Sequence, residues 1–173
     1  YFQWRKGRGA SEKFHGAVVD HVGHENTRVF RDVASLGACL KKLECVRGCG
    51  TKSDVALIYD NENHMALKEV QGFQKSDKKY IETLTDYYYP FWKNGVSVDV
   101  IDSTYDFSGY KVLVLPMLHM IKAGVEERIE QFVANGGTVL MTYLSGMVNE
   151  NDLCHLGGFP CGKLKDVFGI WAE

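Results

Sequence analysis

The chain has 173 residues, 45% of them hydrophobic and 24% charged, which describes a globular protein of one domain, or of one domain with a piece of another. A formal net charge of -2 gives no global field to recruit nucleic acid or an anionic membrane. No apolar run reaches the roughly 18 to 20 residues that span a bilayer, and the start, YFQWRKGRGASEKF, lacks the apolar core of a signal peptide.

Residues 1–5 read as a strand carrying Phe2, Trp4 and Arg5, followed by the glycine-containing loop KGRGAS. A polar stretch over 15–26 holds three of the six histidines. Residues 27–47 form an amphipathic helix: Val29, Phe30, Val33, Leu36, Leu40 and Leu43 recur at spacings of three and four, and Thr27 is placed to cap it. RGCGTKSD ends the helix and reads as a linker, so residues 1–52 and 53–173 are expected to be separate domains.

Beyond the linker the pattern is regular. DVALIYD is a buried strand, NENHMALKE a short helix, and 76–94 a longer helix closed by Asn94-Gly95. Pro90 predicts a kink or an early end near Tyr89. VSVDVI and KVLVLP are strands, 123–135 a helix closed by NGG, and TVLMTY another strand. A long loop, LSGMVNENDLCHLGGFPCG, leads into a last short helix at 163–169. Strands rich in Val, Leu and Ile that alternate with helices, with no hairpin turns, predict an α/β fold: a parallel sheet with helices on both faces. Ligands on such sheets gather at the carboxyl ends of the strands, where Asp60, Asn61, Glu62, His119 and residues 145–152 fall.

Familiar chemistry for such a sheet is missing. No GxGxxG follows a strand, no GxxxxGK[ST] loop is present, and PMLHM after the 112–115 strand offers no nucleophile. Asp60 reads as a polar strand end rather than a phosphate acceptor, for no acidic pair precedes it. His64 and His119 read as surface or hydrogen-bonded, partly buried histidines. No cofactor is expected. The five cysteines are irregularly spaced and suit reduced intracellular thiols, hence a cytoplasmic setting. Cys154, His155 and Cys161 lack the paired spacing and four ligands of a zinc site, so no metal is expected either.

Glu12 and His15 stand apart. Three residues apart, they share a face if the loop enters a helical turn, and a carboxylate with an imidazole can take two neighbouring sugar hydroxyls. Phe2 and Trp4 are the aromatic type that stacks on a sugar ring.

YFQWRKGRGASEKFHGAVVDHVG, followed by NTRVFRDVASLGACL, resembles the last barrel strand and helix of the glycoside hydrolase family 42 β-galactosidases. The resemblance continues through VALIYDNEN, YKVLVLPMLHMIKAGVEERIEQFVANGGTVLMTY and SGMVNENDLCHLGGFPCGKLKDVFGI. It implies that residues 1–52 are the end of a (β/α)8 catalytic barrel and that 53–173 are a flavodoxin-like or amidotransferase-like trimerisation domain, cut short at its C-terminus. It implies that Glu12 and His15 contact galactose in a retaining β-galactosidase acting on terminal β-galactosyl residues. It also implies that both catalytic carboxylates lie ahead of residue 1, which leaves no catalytic residue in this chain and makes it inactive alone. The partners so implied are a β-galactoside, in the full-length parent, and further copies of the chain in a homotrimer. Two other readings compete: a free-standing α/β binding or assembly module, and an amidotransferase-like enzyme. The second needs a reactive Cys at a strand-to-helix turn, whereas Cys39 and Cys45 sit on a helix and Cys49 follows it.

Overall fold

A computed structural model describes residues 3–72 and 78–173. Tyr1 and Phe2, at the head of the expected first strand, and residues 76–77, at the head of the expected long helix, lie outside the described residues. The chain divides into two compact units, Tyr1–Gly50 and Thr51–Glu173.

In the first unit the expected strand narrows, among the described residues, to one parallel bridge between Arg5 and Val19. The Val19 N–H donates to the Trp4 carbonyl at 2.8 Å, and the Lys6 N–H donates to the Val19 carbonyl at 3.0 Å. The stretch read as polar therefore hides an apolar step, for Ala17, Val18 and Val19 are buried where their main chain pairs. Helix α1 (Arg28–Lys42) begins as expected: the Thr27 hydroxyl accepts the Phe30 N–H at 3.2 Å and satisfies one of the helix's unpaired donors. None of its residues is buried. Leu36 and Leu40, at the centre of the apolar stripe, are 56% and 58% exposed.

The second unit is built on a four-stranded sheet. Its strands are β1 (Val55–Ile58), β2 (Val98–Ile101), β3 (Val112–Leu115) and β5 (Thr138–Met141), in the order β2-β1-β3-β5. All neighbours are parallel, with Val55 opposite both Val98 and Val112, and Leu113 opposite Val139. Alternate side chains of the inner strands enter opposite layers. Ala56, Ile58, Leu113 and Leu115 pack with Val125, Ile129 and Phe132 of α4 (Val125–Ala134) and Leu164 of α5 (Leu164–Phe168). Val55, Leu57 and Val114 pack with Leu67 of α2 (Asn61–Glu69) and Tyr80 and Leu84 of α3 (Tyr80–Lys93). Both faces of β1 and β3 are thus covered, which is why those strands read as unbroken apolar runs.

Two expectations need correction. Helix α3 does not stop near Tyr89 but runs through Pro90 to Lys93. Pro90 is exposed and sits in the last turn, where a single missing main-chain bond does not break the helix, while Phe91 packs on the core beyond it. The helix closes one turn later: the Gly95 N–H bonds the Trp92 carbonyl, the Val96 N–H bonds the Phe91 carbonyl, and Gly95 has φ 69°. The long loop after β5 also contains structure. Within it β6 (Val148–Asn149) pairs in parallel with β4 (Met120–Ile121), a second, two-stranded sheet absent from the sequence reading. Gly146 makes that path possible, with φ 69° and its Cα pressed on Pro160, where any Cβ would clash.

Candidate functional site

Glu12 and His15 sit in a turn that ends where the Val18 and Val19 main chain pairs back on Gln3 and Trp4. The His15 N–H donates to the Glu12 carbonyl at 2.9 Å, so the two residues occupy the first and last corners of one tight turn. Both side chains are exposed and neither makes a hydrogen bond among the described residues. That leaves both groups free to meet a polar ligand. Trp4 is 62% exposed and turns edge-on to Phe30, with ring centroids 6.2 Å apart. Lys6 and Asp20 pair at 3.1 Å and anchor the strand beneath the turn.

At the carboxyl end of the sheet, the polar residues that suggested a ligand crevice are used by the fold itself. Asp60 has zero exposure and caps α2, accepting the N–H groups of Glu62 at 3.0 Å and Asn63 at 3.1 Å. Its other oxygen accepts the Ser103 hydroxyl at 2.6 Å and pairs with Lys122 at 2.8 Å. Burial pushes the Asp60 carboxyl up, but Lys122, Ser103 and the Asn63 N–H outweigh it and hold its pKa below the ordinary value. Lys122, 15% exposed, is further held by Glu62 and Asp102. Burial lowers the Lys122 ammonium and the carboxylates raise it, with a net upward shift. Neither Lys122 nor Ser103 stood out in the sequence. The available signal was YDNEN, an Asp at a strand end followed by helix formers, which marks an N-cap rather than a reactive carboxylate.

Three further side chains pin the segment after β3. Asn63, fully buried, donates to the Met117 carbonyl at 3.0 Å and accepts the Met120 N–H at 2.8 Å. The Thr142 hydroxyl accepts the Met117 N–H at 2.8 Å, and the Ser145 hydroxyl accepts the Leu118 N–H at 3.0 Å. These bonds tie the segment after β3 to α2 and to the segment after β5, so the polar groups at this end of the sheet are spent on the fold.

His119 departs from its expected reading as a surface or hydrogen-bonded residue. It is 2% exposed, and neither ring nitrogen makes a hydrogen bond among the described residues. Burial pushes its pKa below the usual histidine value, against the Leu144 main chain and Asp152, which favour the charged form, and with Lys78, which opposes it. A group whose folded pKa is depressed in this way binds its proton more readily when unfolded. Its contribution to stability is therefore complete above the unfolded value near 6.5 and declines as pH falls below it, by up to about 1.4 kcal/mol per pH unit. Melting curves between pH 7.5 and 5 (a range of about 2.5 units around that value) should show His119→Leu losing less stability on acidification than the parent. Parallel curves would rule His119 out as the titrating group.

The cysteine-histidine cluster is divided. Cys154 is exposed, while Cys161 is buried and its thiol is pushed up to about 12, mainly by burial. Among the described residues no group of three His, Cys, Asp or Glu is placed to share a metal ion, and no helix is long and apolar enough to cross a membrane.

Comparison with known proteins gives these features a family. The β-galactosidase trimerisation domain matches residues 53–173, and the β-galactosidase domain matches residues 1–43. The chain is 59% identical over its whole length to the β-galactosidase Pbg of Clostridium perfringens, of which it covers 25%. Among solved structures it is similar to the cold-adapted β-galactosidase from Rahnella sp. R3, at 51% identity and TM-score 0.76, covering 100% of this chain and 25% of that one. It is also similar to the β-galactosidase from Bacillus circulans sp. alkalophilus, at 46% identity and TM-score 0.77, covering 99% of this chain and 25% of that one. The chain thus spans about a quarter of the length of the relatives it matches. With the trimerisation domain accounting for most of its residues and the identity running through both units, the chain belongs to the family 42 β-galactosidases.

Proposed function

We propose that the chain is the part of a cytoplasmic retaining β-galactosidase that joins the end of the catalytic barrel, residues 1–52, to a self-association domain, residues 53–173. In this reading Glu12 and His15 hydrogen-bond the galactosyl unit of a β-galactoside, and the second unit holds copies of the enzyme together as a homotrimer. The observation that carries the reading is the match of both units, in order, to the two β-galactosidase family domains. A free-standing assembly module with no glycosidase ancestry does not explain identity that continues through the first unit. Five free cysteines, four of them exposed, fit a reducing cytoplasmic compartment.

Surface accounting supports self-association. The α1 stripe is uncovered, and in the second unit Leu156 is 95% exposed, Trp92 61% and Trp171 62%. Burying one such side chain is worth roughly 1.5 to 3 kcal/mol, and soluble monomers seldom leave many of them in water. Light scattering at micromolar concentration should return three times the chain mass of 19.5 kDa. A stable monomer would defeat the proposal, and a dimer would keep association but remove the trimer.

A further inference from the structure

The Glu12 and His15 side chains make no hydrogen bond among the described residues, so other groups must fix where they point. The turn does not hold itself. Ala10, just ahead of it, has φ 57°, a left-handed conformation that is unfavourable for an L-residue and persists only where the surroundings impose it.

The base of the loop is held by a charge pair. Lys6 and Asp20 meet across it at 3.1 Å, and the Lys6 side chain is only 15% exposed. The second carboxylate oxygen of Asp20 accepts the His21 main-chain N–H. That N–H and Lys6 keep the Asp20 carboxyl below the usual carboxylate range, so the pair stays charged at neutral pH.

His21 then touches the loop at two separated points. Its Nε2 lies 2.8 Å from the carbonyl of Gly7, just past the Arg5 bridge. A carbonyl only accepts, so Nε2 carries the proton and donates it. The same ring meets Phe14 edge-on, with centroids 6.4 Å apart and planes at 69°. Phe14 stands between Glu12 and His15 in the turn itself. Its other neighbour in the turn is Lys13, whose ammonium lies 5.9 Å from the Phe14 centroid and donates to the Ala10 carbonyl at 3.2 Å. One imidazole therefore links the entry of the loop to the aromatic ring flanked by the two sugar-contact candidates.

We propose that His21 is a positioning residue, which sets the turn so that Glu12 and His15 meet the galactosyl unit together. The proposal rests on the reading that those two residues contact the sugar.

Two measurements test it. In the isotopically labelled chain, His21→Leu should drop the backbone NMR order parameters of residues 9–15 from the rigid range near 0.85 to below about 0.6, whatever the loop binds. In a full-length β-galactosidase carrying these residues, His21→Leu should lower kcat/KM for a nitrophenyl β-galactoside by about tenfold, the scale of a small misplacement of binding groups. His21→Gln, whose amide restores an N–H to Gly7, should recover part of that loss. Added to Glu12→Ala and His15→Ala together, His21→Leu should cost less than about twofold more, because the groups it positions are gone. The proposal fails, with the sugar reading intact, if Glu12→Ala and His15→Ala lower kcat/KM but His21→Leu does not. It fails equally if the His21→Leu loss persists in full without those two side chains, if His21→Gln is no better than His21→Leu, or if the order parameters do not change. Unchanged kinetics in Glu12→Ala and His15→Ala would overturn the sugar reading and this proposal with it.

Discussion

Replacing Lys122 with Met is expected to destabilise the second unit by about 3 to 5 kcal/mol, the usual cost of stranding a buried charge. The partner left behind is Asp60, a carboxylate with zero exposure. Ser103 and the N–H groups of Glu62 and Asn63 would still donate to it, which places the loss toward the lower end of that range. Asp60→Asn should cost less, because Lys122 keeps Glu62 and Asp102 while the amide oxygen can still cap α2. Combining Asp60→Asn with Lys122→Met should recover part of the loss, since the carboxylates that still lose Lys122, Glu62 and Asp102, both reach solvent and no fully buried charge remains unpaired. The pH dependence carries a second signature. Asp60 has a depressed folded pKa, so its contribution is present above the unfolded value of 3.8 and disappears as pH falls through the lower, folded value. Urea titrations of the three variants supply the energies. A loss below about 1 kcal/mol for Lys122→Met, the range of exposed pairs, would show that water reaches Asp60 and that the pair is not a buried one.

That cluster marks where sequence reading stops. The β1 and β3 strands were legible because both of their faces are buried, so VALI and VLVL contain no polar interruption. Helix α1 was legible from its spacing and from Thr27, whose capping bond forms as read. The β4–β6 pair was not legible, for two residues in each strand carry no periodicity and the glycines around them read as loop. Pro90 misled because the rule against proline weakens in the last turn of a helix, where a single missing bond does not break it. Asp60, Asn63, Ser103, Lys122 and Ser145 span more than eighty positions, and only the order of the strands brings them together. Their individual polarity was visible, but their use as staples was not. For Glu12 and His15 the spacing anticipated the turn that joins them. The residue types suggested a sugar-sized polar ligand, and galactose entered through family resemblance.

The largest expected effect is on turnover: this chain alone should release no nitrophenol from a nitrophenyl β-galactoside above a heat-killed control. Retaining hydrolysis needs two carboxyl groups about 5 to 5.5 Å apart that face each other across the glycosidic bond. Glu12 is exposed; of the four other acids in its unit Asp20 pairs with Lys6 at 3.1 Å, Asp32 with Arg28 at 2.7 Å and Glu44 with Arg47 at 2.9 Å, which leaves Glu25 as the other carboxylate without an ion pair among the described residues. In the second unit Asp60, Glu62 and Asp102 gather around Lys122, where Asp60 has no exposed surface to offer a substrate. Turnover above the control would mean that the catalytic pair lies within these residues after all. The complementary experiment places the same chain within a full-length β-galactosidase and replaces Glu12 or His15 with Ala. In the proposed role each change removes hydrogen bonds to sugar hydroxyls, worth about 1.5 to 3 kcal/mol where one partner is charged, so kcat/KM should then fall by about 10- to 100-fold. Both side chains are exposed and make no hydrogen bond among the described residues, so the folding of the variants should be intact. If kcat falls along with kcat/KM, the contacts strengthen as the glycosidic bond breaks, whereas a rise in KM alone assigns them to ground-state binding. Unchanged kinetics in both variants would return the two residues to an exposed turn with no part in the reaction.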